Sequence, residues 1–216
     1  DAADAVLVKG VSLSKSIRMG KPEHLERSES CDIGLRVLVG KRQAMVSSSD
    51  TSHKAMEELA IRALAMAKAV PEDPFCGLAE ISQLATNFPD VHSCDSFEPD
   101  AEYLSELACR AEQSALAVDG ISNSEGASAG WGLNTVAMSA SNGFSQAYAN
   151  SSHSLSISVI AGEGTQMESD YDYTAAVFAA DIENPENLGE SVGRKAVRRL
   201  NPKKVQTAEV PVVFDP

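Results

Sequence analysis

The chain has 216 residues, 43% of them apolar, and a formal net charge of −13; this is enough apolar material for one sizeable core and too much for a disordered chain. The charge is unevenly placed, since residues 69–193 carry twenty acidic side chains and one basic one, Arg110, while residues 1–68 sum to +2 and residues 194–216 to +4. A surface that follows a phosphate backbone needs clustered Lys and Arg to displace condensed counterions, so the acidic middle excludes direct DNA or RNA binding.

Residues 3–50 read as a strand meander of four strands. Val11, Leu13 and Ile17 alternate with Ser12, Ser14, Ser16 and Arg18, a period of two that gives one buried and one wet sheet face. Met19-Gly20-Lys21 and Gly40-Lys41 supply turn positions, and Leu35 to Val39 is an apolar run typical of a central strand. The period then changes. Ala55, Met56, Leu59, Ala60, Ala63, Leu64 and Ala67 repeat at three and four, which predicts a helix capped by Thr51 or Ser52 and ended by Pro71. A Pro-containing loop follows, with a short helix near Leu78 to Ala85. A second helix is expected over 101–118, capped by Asp100, with Leu104, Leu107, Ala108, Ala111 and Ala115 as its face and Gly120 as its stop.

From Ile121 to Asp181 the pattern returns to strands, and twelve Ser and six Gly fall between Ile121 and Tyr173. Asn142-Gly143 predicts a type I′ hairpin, because both central residues of that turn need positive φ. Leu155, Ile157 and Val159 alternate with Ser154, Ser156 and Ser158, and a last strand is expected over 173–180. A third helix opens on Asn184 and Pro185 and closes on Arg194, Lys195, Arg198 and Arg199, where cations favour the helix dipole. Val210 to Phe214 reads as one more strand. The element order predicts an α+β layered domain with a mostly antiparallel meandering sheet and about three main helices.

Chemistry is sparse in the pattern. His24, His53, His92 and His153 are too far apart for two imidazoles on one helix or strand to share a metal, so no metal ligand and no catalytic residue is assigned in this chain. His153 reads as an ordinary residue at the start of a strand. Gly126, Gly130 and Gly132 have no following Lys or helix to make a phosphate loop, and they read as places where a neighbouring strand or a ligand comes close. No G-x-S-x-G elbow occurs. Glu168, Asp170 and Asp172 would share one strand face, where they repel unless water, a cation or basic substrate groups compensate; a solvated turn is the plainer reading. Cys31, Cys76, Cys94 and Cys109 form no C-x-x-C pair, which fits reduced thiols in a cytosol. No run approaches a membrane span and no basic-then-apolar leader opens the chain, so the expectation is a soluble cytoplasmic protein with no membrane contact. The first residue is not Met and the last are Val-Phe-Asp-Pro, which fits a piece of a longer protein.

Several stretches in order resemble one family: Leu25-Glu-Arg-Ser-Glu-Ser, Gly34-Leu-Arg-Val, Pro71-Glu-Asp-Pro-Phe-Cys-Gly-Leu78, Asn123-Ser-Glu-Gly126, Ser141-Asn-Gly-Phe144, Met167-Glu-Ser-Asp-Tyr-Asp-Tyr173 and Val210-Pro-Val-Val-Phe-Asp-Pro216. Together they are similar to the N-terminal part of the PmbA/TldD family, also called modulator of DNA gyrase, and closer to the PmbA (TldE) branch. The resemblance implies that residues 1–216 form a single N-terminal domain of a bacterial protein of roughly twice this length, with a β-rich C-terminal domain absent here. It also implies a two-subunit protease in which the TldD type carries zinc on an H-E-x-x-x-H motif and the PmbA type lacks it, acting on unfolded or leader peptides. No position in this chain matches that motif, so no catalytic residue is carried over. The expected partners are a TldD-type subunit, or a second copy, and an extended peptide. Other roles that fit are a regulatory binding protein acting on gyrase or its toxin and antitoxin, and a dimer scaffold without peptide contact. Small side chains over 121–173 suggest a peptide received by strand addition, with Gly130, Ser156, Glu168, Asp170 and Asp172 as candidate binding residues.

Overall fold

A computed structural model describes residues 1–214. Their elements are β1 (Ala2–Arg18), β2 (Lys21–Val39), β3 (Arg42–Ser48), α1 (His53–Ala69), α2 (Ala101–Leu116), β4 (Ile121–Ala140), β5 (Ser145–Ala161), β6 (Glu168–Ala176) and α3 (Pro185–Arg199). The six strands form one antiparallel sheet in the order β3-β2-β1-β4-β5-β6, which is the α+β architecture expected. Two meanders, β1 to β3 and β4 to β6, join edge to edge through the β1–β4 ladder.

The first meander has three strands rather than four. β1 and β2 run 17 and 19 residues without a break, because Gly10 ends nothing: it packs in the sheet with the Asn134 and Ser30 side chains 3.1 Å from where a Cβ would stand. Met19 and Gly20 both take positive φ, 50° and 70°, as a two-residue type I′ turn requires. The Asn142-Gly143 turn differs from expectation. Only Gly143 has positive φ, and its N–H donates to Ala140 O while Ala140 N–H donates to Phe144 O; this is a type I turn followed by a left-handed glycine, one residue longer than type I′.

All three helices pack on one face of the sheet. α1 is capped by the Ser52 hydroxyl and buries Leu59, Ala63 and Ala67 at a spacing of four, a narrower stripe than predicted, with Ile61 and Leu64 exposed. Asp100 caps α2, which buries Leu104, Ala108, Ala111, Ala115 and a residue outside the expected face, Glu112. α3 starts on Asn184 and Pro185, as read from the sequence, and buries Leu188, Val192 and Ala196. With Leu13, Ile17, Ala127, Ala129, Trp131, Leu155, Ile157 and Val159 from the strands, α2 and α3 enclose the main core.

Three boundaries move. The short helix after α1 is a single 3-10 turn, Ile81–Gln83. The last strand covers Glu168–Ala176 rather than 173–180, which ends in another 3-10 turn, Ala179–Asp181. Val210 to Phe214 is exposed and pairs with no strand among the described residues, so apolar residues alone did not make a strand there. Residues 215 and 216, part of the last segment of the family resemblance, lie outside the described residues.

Candidate functional site

The ladder register sorts the sheet into two faces, because residues directly opposite each other project to the same side. Leu13, Trp131 and His153 fall in one row on the helix side, and all three are buried. The rows between project to the side that no helix covers. Ser28, Ser12, Gly132 and Ser152 form one such row; Glu26, Ser14, Gly130, Ser154 and Ala175 the next; His24, Ser16, Ser128, Ser156 and Tyr173 the third; Gly126, Ser158 and Tyr171 the fourth. The sequence alternation of Ser12, Ser14 and Ser16 with the core residues of β1, and of Ser154, Ser156 and Ser158 with those of β5, thus builds one hydroxyl-rich field.

This field has two shallow cavities. One of about 560 Å³ is bounded by Ser16, Ser128, Ser156, Ser158, Tyr171 and the acidic residues Glu23, Glu125 and Asp170. The other, about 370 Å³, lies over Gly10, Gly130 and Gly132. Gly130 and Ser156, two of the residues singled out in the sequence, therefore share the uncovered face. A Cβ at Gly130 would stand 3.1 Å from Ser154 Oγ, so the glycine keeps the field flat. Strand addition at Gly130 or Ser156 is ruled out by the register, since each lies in a stretch with a paired strand on both sides. What the field offers a partner is its surface of hydroxyls.

Glu168, Asp170 and Asp172 do align on one face, but they lie in β6 and not in a solvated turn. Asp172 forms an ion pair with Lys195, and Asp170 Oδ2 accepts from Arg199 Nε at 2.7 Å, so both carboxylates dock the cationic end of α3. The Lys195 ammonium holds the Asp172 carboxyl below the usual carboxylate range, chiefly by hydrogen bonding. Their other oxygens accept the N–H groups of Tyr171 and Tyr173, both at 2.9 Å, which occupies two donors of β6 and blunts it as a strand-addition edge. Glu168 opens the strand opposite Ala161. The triplet is thus split between edge protection and helix docking, with Asp170 also bordering the larger cavity.

His153 is not at the start of a strand but in the middle of β5, 4% exposed. Its Nε2 stands 3.3 Å from Asp95 Oδ2 without hydrogen-bond geometry, and the Phe97 ring stacks on it with centroids 6.2 Å apart. Asp95 itself accepts from the Ala179 and Phe97 N–H groups. Burial pushes the His153 pKa down against the pull of Asp95, and the two backbone donors, from Ala179 first, lower that of Asp95. Both shifts act in one direction on acidification. The unfolded histidine gains a proton more readily than the folded one as pH falls through about 6.5, and Asp95 adds its loss at lower pH as it protonates. The protection factors of the amides at residues 93–98, taken against the intrinsic exchange rate at each pH, are therefore expected to fall severalfold from about pH 7.5 to about pH 5.5, and to lose most of that change in His153→Phe; protection that does not change with pH in the unaltered protein would contradict this.

Two residues of the uncovered face escaped the sequence reading, Glu23 and Glu125. Both are extra residues at irregularities in the ladders: Ser16 pairs with His24 and Ile17 with Pro22, which skips Glu23, and Ser124 pairs with Val159 and Gly126 with Ser158, which skips Glu125. The signals were present, since a Pro or an isolated Gly inside a strand pattern marks a bulge, and Pro22 and Gly126 are the neighbours.

Known proteins match this chain over most of its length. Residues 3–67 match domain 1, and residues 94–200 the central domain, of the PmbA/TldA metallopeptidases. The chain is 36% identical over 214 residues to a metalloprotease PmbA homolog of Haemophilus influenzae and 35% identical over 215 residues to metalloprotease PmbA of Escherichia coli O157:H7, in each case over 99% of this chain and 48% of the relative. A crystal structure from Bacteroides thetaiotaomicron, of a protein described as a modulator of DNA gyrase, superposes with a TM-score of 0.86 at 23% identity, over 95% of this chain and 47% of that one. The chain thus spans about half the length of these relatives. A metallopeptidase implies a metal, and the described residues do not fit one: no three His, Cys, Asp or Glu side chains among them converge to hold an ion, and two of the three β6 carboxylates, Asp172 and Asp170, are engaged by Lys195 and Arg199.

Proposed function

The chain belongs to the PmbA/TldA metallopeptidase family, and on that premise we propose that it is the N-terminal domain of the metal-free subunit of a two-subunit protease in the bacterial cytoplasm. Residues 1–216 act as one unit, and the uncovered serine face forms one wall of the space in which an unfolded or leader peptide is held. The observation that carries this reading is that face itself: five strands present mostly Ser, Gly and Tyr away from the helices, with Ala175 and, on β2, His24 and Glu26 beside them and no residue of the core cluster among them. Hydroxyls both donate and accept, so such a surface can satisfy the main-chain groups of many peptide sequences. The H-E-x-x-x-H zinc site belongs to the TldD-type partner, and no step of the cleavage runs through residues of this chain.

The names of the 36% and 35% identical relatives, a metalloprotease PmbA homolog and metalloprotease PmbA, support the PmbA branch, and the metal-free role follows from the resemblance of the sequence to that branch. A regulatory role on gyrase has the descriptions of two structural neighbours behind it; the acidic middle of the chain disfavours contact with the DNA itself.

The test is reconstitution. The full-length protein and a TldD-type subunit are purified separately and mixed with zinc and an unfolded reporter peptide, and turnover is followed by mass spectrometry. Cleavage is expected only from the mixture. Equal cleavage by the TldD-type subunit alone, or cleavage by this protein alone, would remove the proposed role.

A further inference from the structure

Two of the three ladder irregularities among the described residues do the same thing at the same place. In a regular ladder successive side chains alternate, and Glu125, counted back from the core residues Ala129 and Ala127, would turn toward the helices. The extra residue breaks that alternation. Gly126 takes φ +117°, a value only glycine adopts readily, with its N–H bonded to Ser124 Oγ, and Glu125 is exposed with Oε2 accepting from Ser158 Oγ of the uncovered face at 2.5 Å. Across the sheet the β1–β2 irregularity likewise skips Glu23, beside the type I′ tip. Both carboxylates border the same 560 Å³ cavity, together with Ser16, Ser128, Ser156 and the exposed ring of Tyr171.

The charges there do not cancel. Arg199, which also lines the cavity, is engaged by Asp170 at 2.7 Å, while Arg18, whose Nε donates to Ser124 O, reaches Glu23 only at 3.9 Å. Among the described residues Glu125 has no cationic partner within 4 Å and is held by a hydroxyl alone. Elsewhere the serine rows carry little charge, so this cavity is the end of the field with an electrostatic preference.

Resting on the reading of this face as a peptide-holding wall, we propose that the cavity between Glu23 and Glu125 receives a lysine or arginine side chain of an extended peptide lying across the serine rows. The ammonium or guanidinium would meet the two carboxylates, its aliphatic stem would pass over the Tyr171 ring, and the hydroxyls of Ser128 and Ser156 would meet the peptide main chain. The peptide lies on the face and adds no strand. Its specificity is for charge at one position, with little demand on the flanking sequence.

The experiment uses the full-length protein and three fluorescein-labelled decapeptides of Ser, Ala and Gly that differ only in a central Lys, norleucine or Glu, with binding read by fluorescence anisotropy. The Lys peptide is expected to bind about fivefold more tightly than norleucine, from two exposed ion pairs, and the Glu peptide more weakly still. In E23Q/E125Q the Lys and norleucine peptides should bind alike, and E125K should favour the Glu peptide, with melting temperatures of the variants unchanged. Absence of a charge preference in the unaltered protein, or its survival in E23Q/E125Q, overturns the inference. Anisotropy needs no cleavage, so a failed reconstitution with the TldD-type subunit would remove the protease role while leaving this result to be read separately.

Discussion

Replacing Glu112 by Ala is expected to destabilise the protein by about 3 kcal/mol. The side chain is 0% exposed, and its two oxygens accept the Met19 N–H at 2.8 Å and the Gly20 N–H at 2.7 Å. Those are consecutive donors of the type I′ turn, turned toward α2 because both residues have positive φ. A hairpin of 17 and 19 residues is thereby tied at its tip to the middle of a helix more than ninety residues further along the chain. Hydrogen bonds to a charged acceptor contribute about 1.5–3 kcal/mol each, and alanine leaves both donors unpaired and a hole in the interior. Glu112→Gln retains the shape and one acceptor, so its cost should be clearly smaller. Denaturant melts of the full-length variants measure both; equal effects of Ala and Gln would show that the carboxylate, and not the shape, supplies the whole contribution. The same tie fixes Glu23, three residues beyond Gly20, so Glu112→Ala should also loosen the acidic margin of the serine face.

Gly189→Ala is the second large effect, expected at about 2–3 kcal/mol of lost stability, or roughly 5–10 °C in Tm. A Cβ at Gly189 would lie 2.1 Å from Ala111 O, and one at Gly193 would lie 2.7 Å from Val118 Cγ2. The contact at 189 is with helix backbone and cannot rotate away. The two glycines, four residues apart, let α3 lie against Ala111 and Ala115 of α2, and the crossing is pinned by Ser114 Oγ donating to Glu186 O at 2.8 Å and by the two-pronged Arg110–Glu186 pair at 2.7 and 2.9 Å. Alanine is a better helix former than glycine by about 1 kcal/mol, which offsets part of the clash. A Tm at or above that of the unaltered protein would mean that the helices separate without cost. Arg110 is also the one basic residue of the acidic middle, and its place between two helices explains why it is there.

Much of this fold can be read from periodicity. The switch from two to three and four after Thr51, the Asp100 and Asn184 caps, and the serine alternations of β1 and β5 are local signals, and the structure follows them. What periodicity cannot supply is pairing. Val210 to Phe214 has strand composition but pairs with no strand among the described residues, and Asn142-Gly143 took a longer turn because ladder register, not the dipeptide, set the loop length. The candidate site was half legible. Gly130 and Ser156 fell on the face that the alternation predicts, whereas Glu125 and Glu23 reach it only through bulges that break the alternation. The roles of Asp170 and Asp172 were hidden for another reason: Arg199 and Lys195 come from a helix more than twenty residues away, and no local pattern announces that contact. His153 and Asp95 were likewise joined by a loop that folds back onto β5.

The serine face is the claim on which the functional account depends. A photo-crosslinking side chain placed at Ser156 in the full-length protein, paired with its TldD-type subunit and an unfolded peptide, tests it directly, with Ile61 on the outer surface of α1 as the control position. The account predicts peptide captured at 156 and none at 61; capture at 61 alone, or equally at both, would show that the peptide does not meet this face.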